Sequence, residues 1–366
     1  MIKQFTKYFF PHDGKPDHFK ALDGLRGLAI IFVLLSHSSN RGLMLSEYLN
    51  FSHSGKYGVY LFFVLSAYLL DRQITLAFVN NKSSKRYWMN YFLRRFLRIY
   101  PLFILALLVH GMMSYYGYKT VIDTVMDIPM HVFLLAGEYI FWSIPVEFKY
   151  YFISPLILWG FHRFFKWEMS KVVISLAVLT IISMVIELIF ELPSIVTLRF
   201  FPIFLAGTFI AVMEVIQEKS FLVKTSSLGI DISGVIAFVL ILLTVPFYTQ
   251  GVFGRTIDFD DSVYYLPYGI FWGLILVSAK YGKGIMKRFF ELRFLRFIGT
   301  ISFSMYLFHI PVLKIIMRSN LDIPDNLKVY AFFVCAIMVS MISYILVERP
   351  LSKVRIYHPE ARTSTM

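Results

Sequence analysis

Cysteine is almost missing from this chain: Cys335 is its only one in 366 residues. That scarcity excludes a disulfide framework and any cysteine-built metal cluster. Charge is scarce too, at 16% of residues against 57% hydrophobic ones, and the mean hydropathy is positive. A soluble domain of this length would not show that balance. Chemistry-bearing motifs are also absent: there is no HExxH or similarly close ligand pair, no Walker loop, no Gly-rich dinucleotide fingerprint and no GxSxG elbow. Nothing therefore marks a metal hydrolase, a phosphate-cradling loop or a serine hydrolase, and no metal is expected. No internal repeat appears, which weighs against the many secondary transporters built from repeated halves.

What is present is apolar sequence in membrane-length runs. Runs of about 20 residues, the length that crosses the hydrocarbon core, fall near 25–45, 57–78, 97–118, 143–162, 171–191, 198–217, 229–248, 263–281, 297–318 and 328–348. The expected fold class is therefore an all-α integral membrane protein of about ten helices. An even number puts both termini on one side. Lysine and arginine number 27 in the tails and even-numbered connections and 7 in the odd-numbered ones, so the positive-inside rule places both termini in the cytoplasm. The formal net charge of +13 is then a topology signal and a contact surface for anionic membrane lipids. No nucleic-acid partner is needed. The N-terminal stretch lacks a long apolar core with a small-residue cleavage site and reads as no signal peptide. No connection exceeds about 25 residues, so residues 1–366 read as one membrane domain, with tails at 1–22 and 350–366 and no appended soluble domain.

Polar groups inside the spans are the informative ones, because each is costly in lipid. Arg26 and His37 lie eleven residues apart, which on a helix is about three turns and 16 Å of rise. They share one face, and the run limits put Arg26 near the membrane surface and His37 near its middle. Arg26 as an ordinary flank and His37 as an interhelical hydrogen bonder stay open. In "NYFLRRFLRIYPLF", Arg95 and Arg98 are three apart and Arg94 lies beside them. Guanidinium forks on one helical face suit phosphates, although positive-inside flanks look the same. Pro101, one turn further in, predicts a bend.

In "FWSIPVEFKYYFISPL", Glu147 sits among aromatics with Ser143 and Lys149 nearby. It is either paired with a basic residue or set to steer a hydroxyl or a base. In "RFIGTISFSMYLFHIPVL", Ser302, Met305 and His309 share a face. His309 reads as an interhelical hydrogen bonder, since nothing local supplies a partner. His110 and His131 lie near span ends and carry no signal.

Six stretches in order, "LDGLRGLAIIFVLLSH", "FFVLSAYLL", "RRFLRIYPLF", "WSIPVEFKYYFISPL", "SFSMYLFHIPVL" and "VERP", resemble the membrane acyltransferase-3 family of bacterial O-acyltransferases from about Leu22 to Pro350. The resemblance implies residue roles: Arg26, His37 and Glu147 in catalysis; Arg95, Arg98 and Arg94 toward an acyl-CoA donor, most often acetyl-CoA; Ser143, Ser302, Tyr306 and His309 toward substrate or structural support. It implies a bacterial cytoplasmic (inner) membrane location. The acceptor would be a hydroxyl on a cell-surface or lipid-linked glycan, with a separate extracytoplasmic acyl-transfer partner as an option. His37 would act as general base or as a transient acyl carrier. Two positions depart from the family: Ala67 stands where relatives carry glycine, and Phe148 where many have a second acidic residue, which puts a carboxylate-pair mechanism in doubt. Readings from other classes are a proton-coupled transporter of an anionic metabolite and an assembly factor without chemistry.

Overall fold

In lipid every backbone N–H and C=O must be satisfied within the chain, and this sequence does so by helices. The computed structural model describes residues 18–122, 126–217, 227–255, 262–319 and 324–354, with 6, 8–10, 13, 124 and 259. The expected tails lie largely outside the described residues. The long helices are α1 Lys20–Ser39, α2 Gly55–Val79, α3 Lys85–Tyr115, α4 Ser143–Phe165, α5 Met169–Phe190, α6 Phe201–Gln217, α7 Ser227–Leu243, α8 Pro246–Phe253, α9 Tyr265–Tyr281, α10 Arg293–Thr300, α11 Ser302–Arg318 and α12 Asp325–Ser343. Among the described residues seven helices are long and apolar enough to cross a membrane, or up to nine if two bent pairs each count as a span. α4, 23 residues long, is outside that set. Its glutamate, lysine, tyrosines and prolines lower its hydropathy.

Two expected continuous spans are broken. α7 and α8 meet at 90°, because Pro246 cannot continue a helix and holds Val245 extended at ψ 127°. Beside that break the Thr244 carbonyl accepts from the Tyr57 hydroxyl at 3.1 Å. α10 and α11 meet at 76°, so the run expected over 297–318 is divided at Ile301 instead of forming one straight helix. By contrast α3 runs through Pro101 unbroken. The first span is also displaced from its apolar run of 25–45, since α1 covers Lys20–Ser39. α1 stops at Ser39, where the Ser39 and Asn40 side chains accept the backbone N–H of Phe51 and His53 and tie down the following loop.

The glycines of "DGLRG" explain where α10 lies. A Cβ on Gly27 would stand 2.1 Å from the Leu295 carbonyl oxygen, and one on Gly299 would stand 1.8 Å from that of Asp23. Only backbone without a side chain permits that crossing, and it fixes the rotation of α1 and hence the aim of Arg26. Gly299→Val is expected to leave little folded protein in detergent, measured by monodisperse yield and thermal unfolding. Wild-type yield and melting temperature would refute the close crossing. At the α2–α6 contact, Ala67 is fully buried, and a Cβ on Gly207 would meet its methyl at 2.9 Å. The methyl that departs from the family is thus accommodated by a glycine opposite.

Candidate functional site

Two cavities meet inside the bundle. The larger, about 780 Å³, lies between the N-terminal end of α1, the C-terminal half of α2 and the start of α3, and its lining includes Asp23, Arg26, Arg72, Lys82, Arg95 and Arg98. Five cationic side chains against one carboxylate make it an anion trap, and its volume suits a cofactor-sized ligand. The smaller chamber, about 50 Å³, is lined by Arg26, Ser66, Arg98, Ser143, Glu147, Ser302 and Tyr306 among aromatics. It has room for one or two waters. Arg26 and Arg98 line both. Among the described residues neither makes a hydrogen bond or a close ion pair, so two guanidiniums stand at the threshold with donors to spare.

Each lining group is aimed by its neighbours. Glu147 accepts from Ser66 Oγ at 2.5 Å and from the Tyr151 hydroxyl at 2.6 Å, which turns it into the chamber as a hydrogen-bonded carboxylate instead of the salt-bridged one the sequence allowed. Ser143 Oγ donates to the Tyr306 hydroxyl at 2.9 Å, and that hydroxyl donates to the Ile140 carbonyl at 2.5 Å. In the larger cavity Arg72 is held by Glu214, its Nε 2.7 Å from Oε1. Glu214 also accepts from the Tyr68 hydroxyl and from buried Lys280. Arg95 lies over the Tyr91 and Tyr151 rings at 5.8 and 5.5 Å and donates to the Gln73 side-chain Oε1 at 3.3 Å.

His37 stands in the last turn of α1, so Arg26 is nearer the helix middle than His37, opposite to the depth order expected from the apolar run. The run overshot the helix by six residues, and that displaced its midpoint. His309 is fully buried, its Nε2 lies 2.9 Å from His37 Nδ1, and its Nδ1 faces the carbonyls of Tyr306 at 2.7 Å and Met305 at 3.1 Å. The partner that no local sequence supplied comes from 272 residues away.

The structure thus gathers Arg26, Arg98, Ser143, Glu147, Ser302 and Tyr306 around the chamber, sets Arg95 in the larger cavity, and joins His37 to His309 one turn beyond Tyr306. Arg94 is not brought in. Its Nε returns to the Asn90 carbonyl at 3.2 Å, and it lines neither cavity, because it points off the Arg95–Arg98 face. Phe148 packs on Tyr100 and Phe152, away from Glu147.

Sequence reasoning missed Ser66, Arg72, Tyr139, Tyr151 and Glu348. Tyr151 was findable as the i+4 neighbour of Glu147, and Ser66 and Glu348 lie in the quoted motifs. Glu348 ends a π-helical turn, Tyr344–Glu348, and accepts from buried Ser304 at 3.0 Å; such turns recur at functional sites. Among the described residues no group of three or more His, Cys, Asp or Glu side chains could hold a metal ion.

The profile of a family described as an acyltransferase domain matches residues 19–348. The chain is 24% identical to the peptidoglycan O-acetyltransferase OatA of Listeria monocytogenes serovar 1/2a, over 91% of this chain and 56% of that protein. It is 21% identical to the O-acetyltransferase OatA of Staphylococcus aureus strain NCTC 8325, over 92% of this chain and 58% of that protein. The chain therefore spans less than two thirds of the length of these relatives. No solved structure matches it.

Proposed function

Because the chain belongs to the acyltransferase-3 family, we propose that it is a multi-pass O-acetyltransferase of the bacterial cytoplasmic membrane, moving an acetyl group from cytoplasmic acetyl-CoA to a hydroxyl of a cell-surface or lipid-linked glycan. The observation that carries this reading is that Arg26 and Arg98 line both the cationic cavity and the polar chamber. A polyanionic donor held in the first cavity has its reactive end directed past those two guanidiniums into the second. Arg95, Arg98 and Arg72 would hold its phosphates by charge-assisted hydrogen bonds. The excess of lysine and arginine in the tails and even-numbered connections supports a cytoplasmic face for that cavity, toward the donor pool.

The acceptor would arrive from the opposite side, at the C-terminal end of α1. His37 takes the hydroxyl proton there or carries the acyl group briefly, histidine being the side chain that serves as a base near neutrality. Arg26 and the hydroxyls of Ser302 and Tyr306 would line the path along which the thioester end reaches His37. Glu147 and the Ser143–Tyr306 pair keep that chamber in shape. An extracytoplasmic partner that passes the acyl group onward is compatible with this arrangement.

Transfer of radiolabel from acetyl-CoA to a lipid-linked glycan by the purified protein in nanodiscs is the test. Label found only on a soluble cytoplasmic molecule would sink the proposed direction. Anion counterflow without acetyl-CoA consumption would favour a proton-coupled transporter, and no observation here favours that reading over the first.

Tyr139 marks the acceptor side. Its backbone sits at φ 51°, uncommon for a residue with a side chain. It stays 48% exposed while its ring centroid lies 5.3 Å from that of His37. The exposed ring can stack against the C–H face of a sugar. Tyr139→Ala is expected to raise the acceptor KM about tenfold and Tyr139→Trp to preserve it. Steady-state kinetics at varied glycan concentration decides, and an unchanged KM in the alanine variant removes the platform.

A further inference from the structure

The His37–His309 contact contains more information than proximity. His309 Nδ1 faces two backbone carbonyls, at 2.7 and 3.1 Å. A carbonyl oxygen only accepts, so Nδ1 must carry a proton. In a neutral imidazole the other nitrogen then has a lone pair and no hydrogen. His309 Nε2 is that nitrogen, and it lies 2.9 Å from His37 Nδ1. For a hydrogen bond to exist between the rings, His37 Nδ1 must hold the proton and donate it. His37 Nε2 is consequently the bare nitrogen, and among the described residues nothing donates to it.

We propose that His309 is a positioning residue that holds His37 in its Nδ1–H tautomer and so makes Nε2 of His37 the reacting base. This rests on the acyltransferase reading for its consequence, though the tautomer itself follows from the hydrogen bonds alone. The Nδ1–H form is the opposite of the one a free histidine side chain favours in water, so a neighbour is needed to impose it. Two features make His309 suited to imposing it. Burial removes water as a competing partner. The carbonyls of Met305 and Tyr306 lie one turn back on its own helix, so the ring cannot invert its tautomer without pressing a lone pair against an oxygen.

The step then balances. The acceptor O–H gives its proton to His37 Nε2 as its oxygen bonds to the thioester carbonyl carbon. The carbon–sulfur bond breaks, and the departing thiolate takes the proton back from Nε2. His37 ends as it began, and His309 exchanges no proton. The logic is that of a base held in the correct tautomer by a hydrogen-bonded neighbour, with a backbone-locked imidazole in place of a carboxylate.

Two variants separate this role from packing. His309→Gln places an amide oxygen near the former Nε2, where it can accept from His37 Nδ1–H. His309→Asn can still donate to the carbonyls but reaches no further. In nanodisc-embedded protein, kcat is expected to fall by no more than about fivefold in the glutamine variant and by about 10²- to 10³-fold in the asparagine variant, with acetyl-CoA affinity unchanged in both. Equal kcat losses in the two, or losses matched by weakened donor binding, would overturn the positioning role.

The tautomer is read without substrate, from ¹⁵N shifts of histidine-labelled protein, with His37→Gln assigning the His37 signal. A protonated Nδ1 and bare Nε2 are expected, whether or not the protein turns over acetyl-CoA. A His37 protonated at Nε2 would overturn the inference while leaving the acyltransferase reading intact. Failure of the wild type to consume any acyl-CoA would remove that reading and leave the tautomer measurement standing.

Discussion

His37→Ala is expected to lower acetyl transfer by about 10²- to 10⁴-fold, the range that loss of a positioned base produces, while leaving acetyl-CoA binding within about twofold of wild type. The two halves of that expectation come from different places in the molecule. The cationic cavity is built from the first turns of α1, the end of α2 and the start of α3, and His37 is in the last turn of α1. Eleven residues of helix, about 16 Å of rise, separate Arg26 from His37. Deleting the imidazole therefore removes the base without touching the phosphate ligands. It also leaves His309 Nε2 without its donor in a buried site, so a modest fall in thermal stability is expected alongside. Donor binding by filter or calorimetric titration, with single-turnover transfer measured on the same sample, separates the effects. A variant that keeps wild-type transfer would eliminate His37 from the chemistry, and one that loses donor binding equally would point to misfolding.

Replacing Arg95 and Arg98 together by alanine should act in the complementary way. Hydrogen bonds to charged groups are each worth about 1.5–3 kcal/mol, so removing two predicts a donor Kd raised by about 10²- to 10⁴-fold. Arg98 should be the costlier of the pair, because it lines both cavities and has no hydrogen-bond partner among the described residues. Arg95 is already engaged by Gln73 and lies over two tyrosine rings. Lysine at position 98 should rescue little, since a point charge does not reproduce a planar fork. Arg94→Ala should be nearly silent, because its Nε turns back to its own helix. Titration with CoA at two salt concentrations checks all four. If Arg94→Ala equals the double variant, the arginines act as an undirected field instead of a clamp.

Much of the site was legible in the sequence because the cost of a polar group in lipid is a local property. A glutamate, an arginine or a histidine inside an apolar run stands out wherever its partners are. Thus Arg26, Arg98, Ser143, Glu147 and Ser302 were named from their own stretches and Tyr306 through the family resemblance, and the structure brings them to one chamber. Periodicity failed where helix ends are decided by side-chain bonds. The Ser39 and Asn40 side chains stop α1 inside its apolar run and so move His37 from the expected middle to the end. Arg94 was included by adjacency, although a one-residue step on a helix turns the side chain about 100° away from the Arg95–Arg98 face.

The sequence by itself determined the solvent, the helical class and the residues too polar to be there by accident, since transfer cost and helical period need only neighbours along the chain. Tertiary structure alone decided that His37 meets His309, that α1 and α2 with the start of α3 enclose one cationic cavity, that Arg26 and Arg98 stand between that cavity and the chamber, and that the span before Ser302 turns by 76°. Those outcomes depend on contacts between distant segments, 272 residues apart for His37 and His309, set by glycine crossings such as Gly27 against Leu295. Such contacts leave no period in the sequence, because the two surfaces that must match are encoded in different stretches and are complementary only once folded.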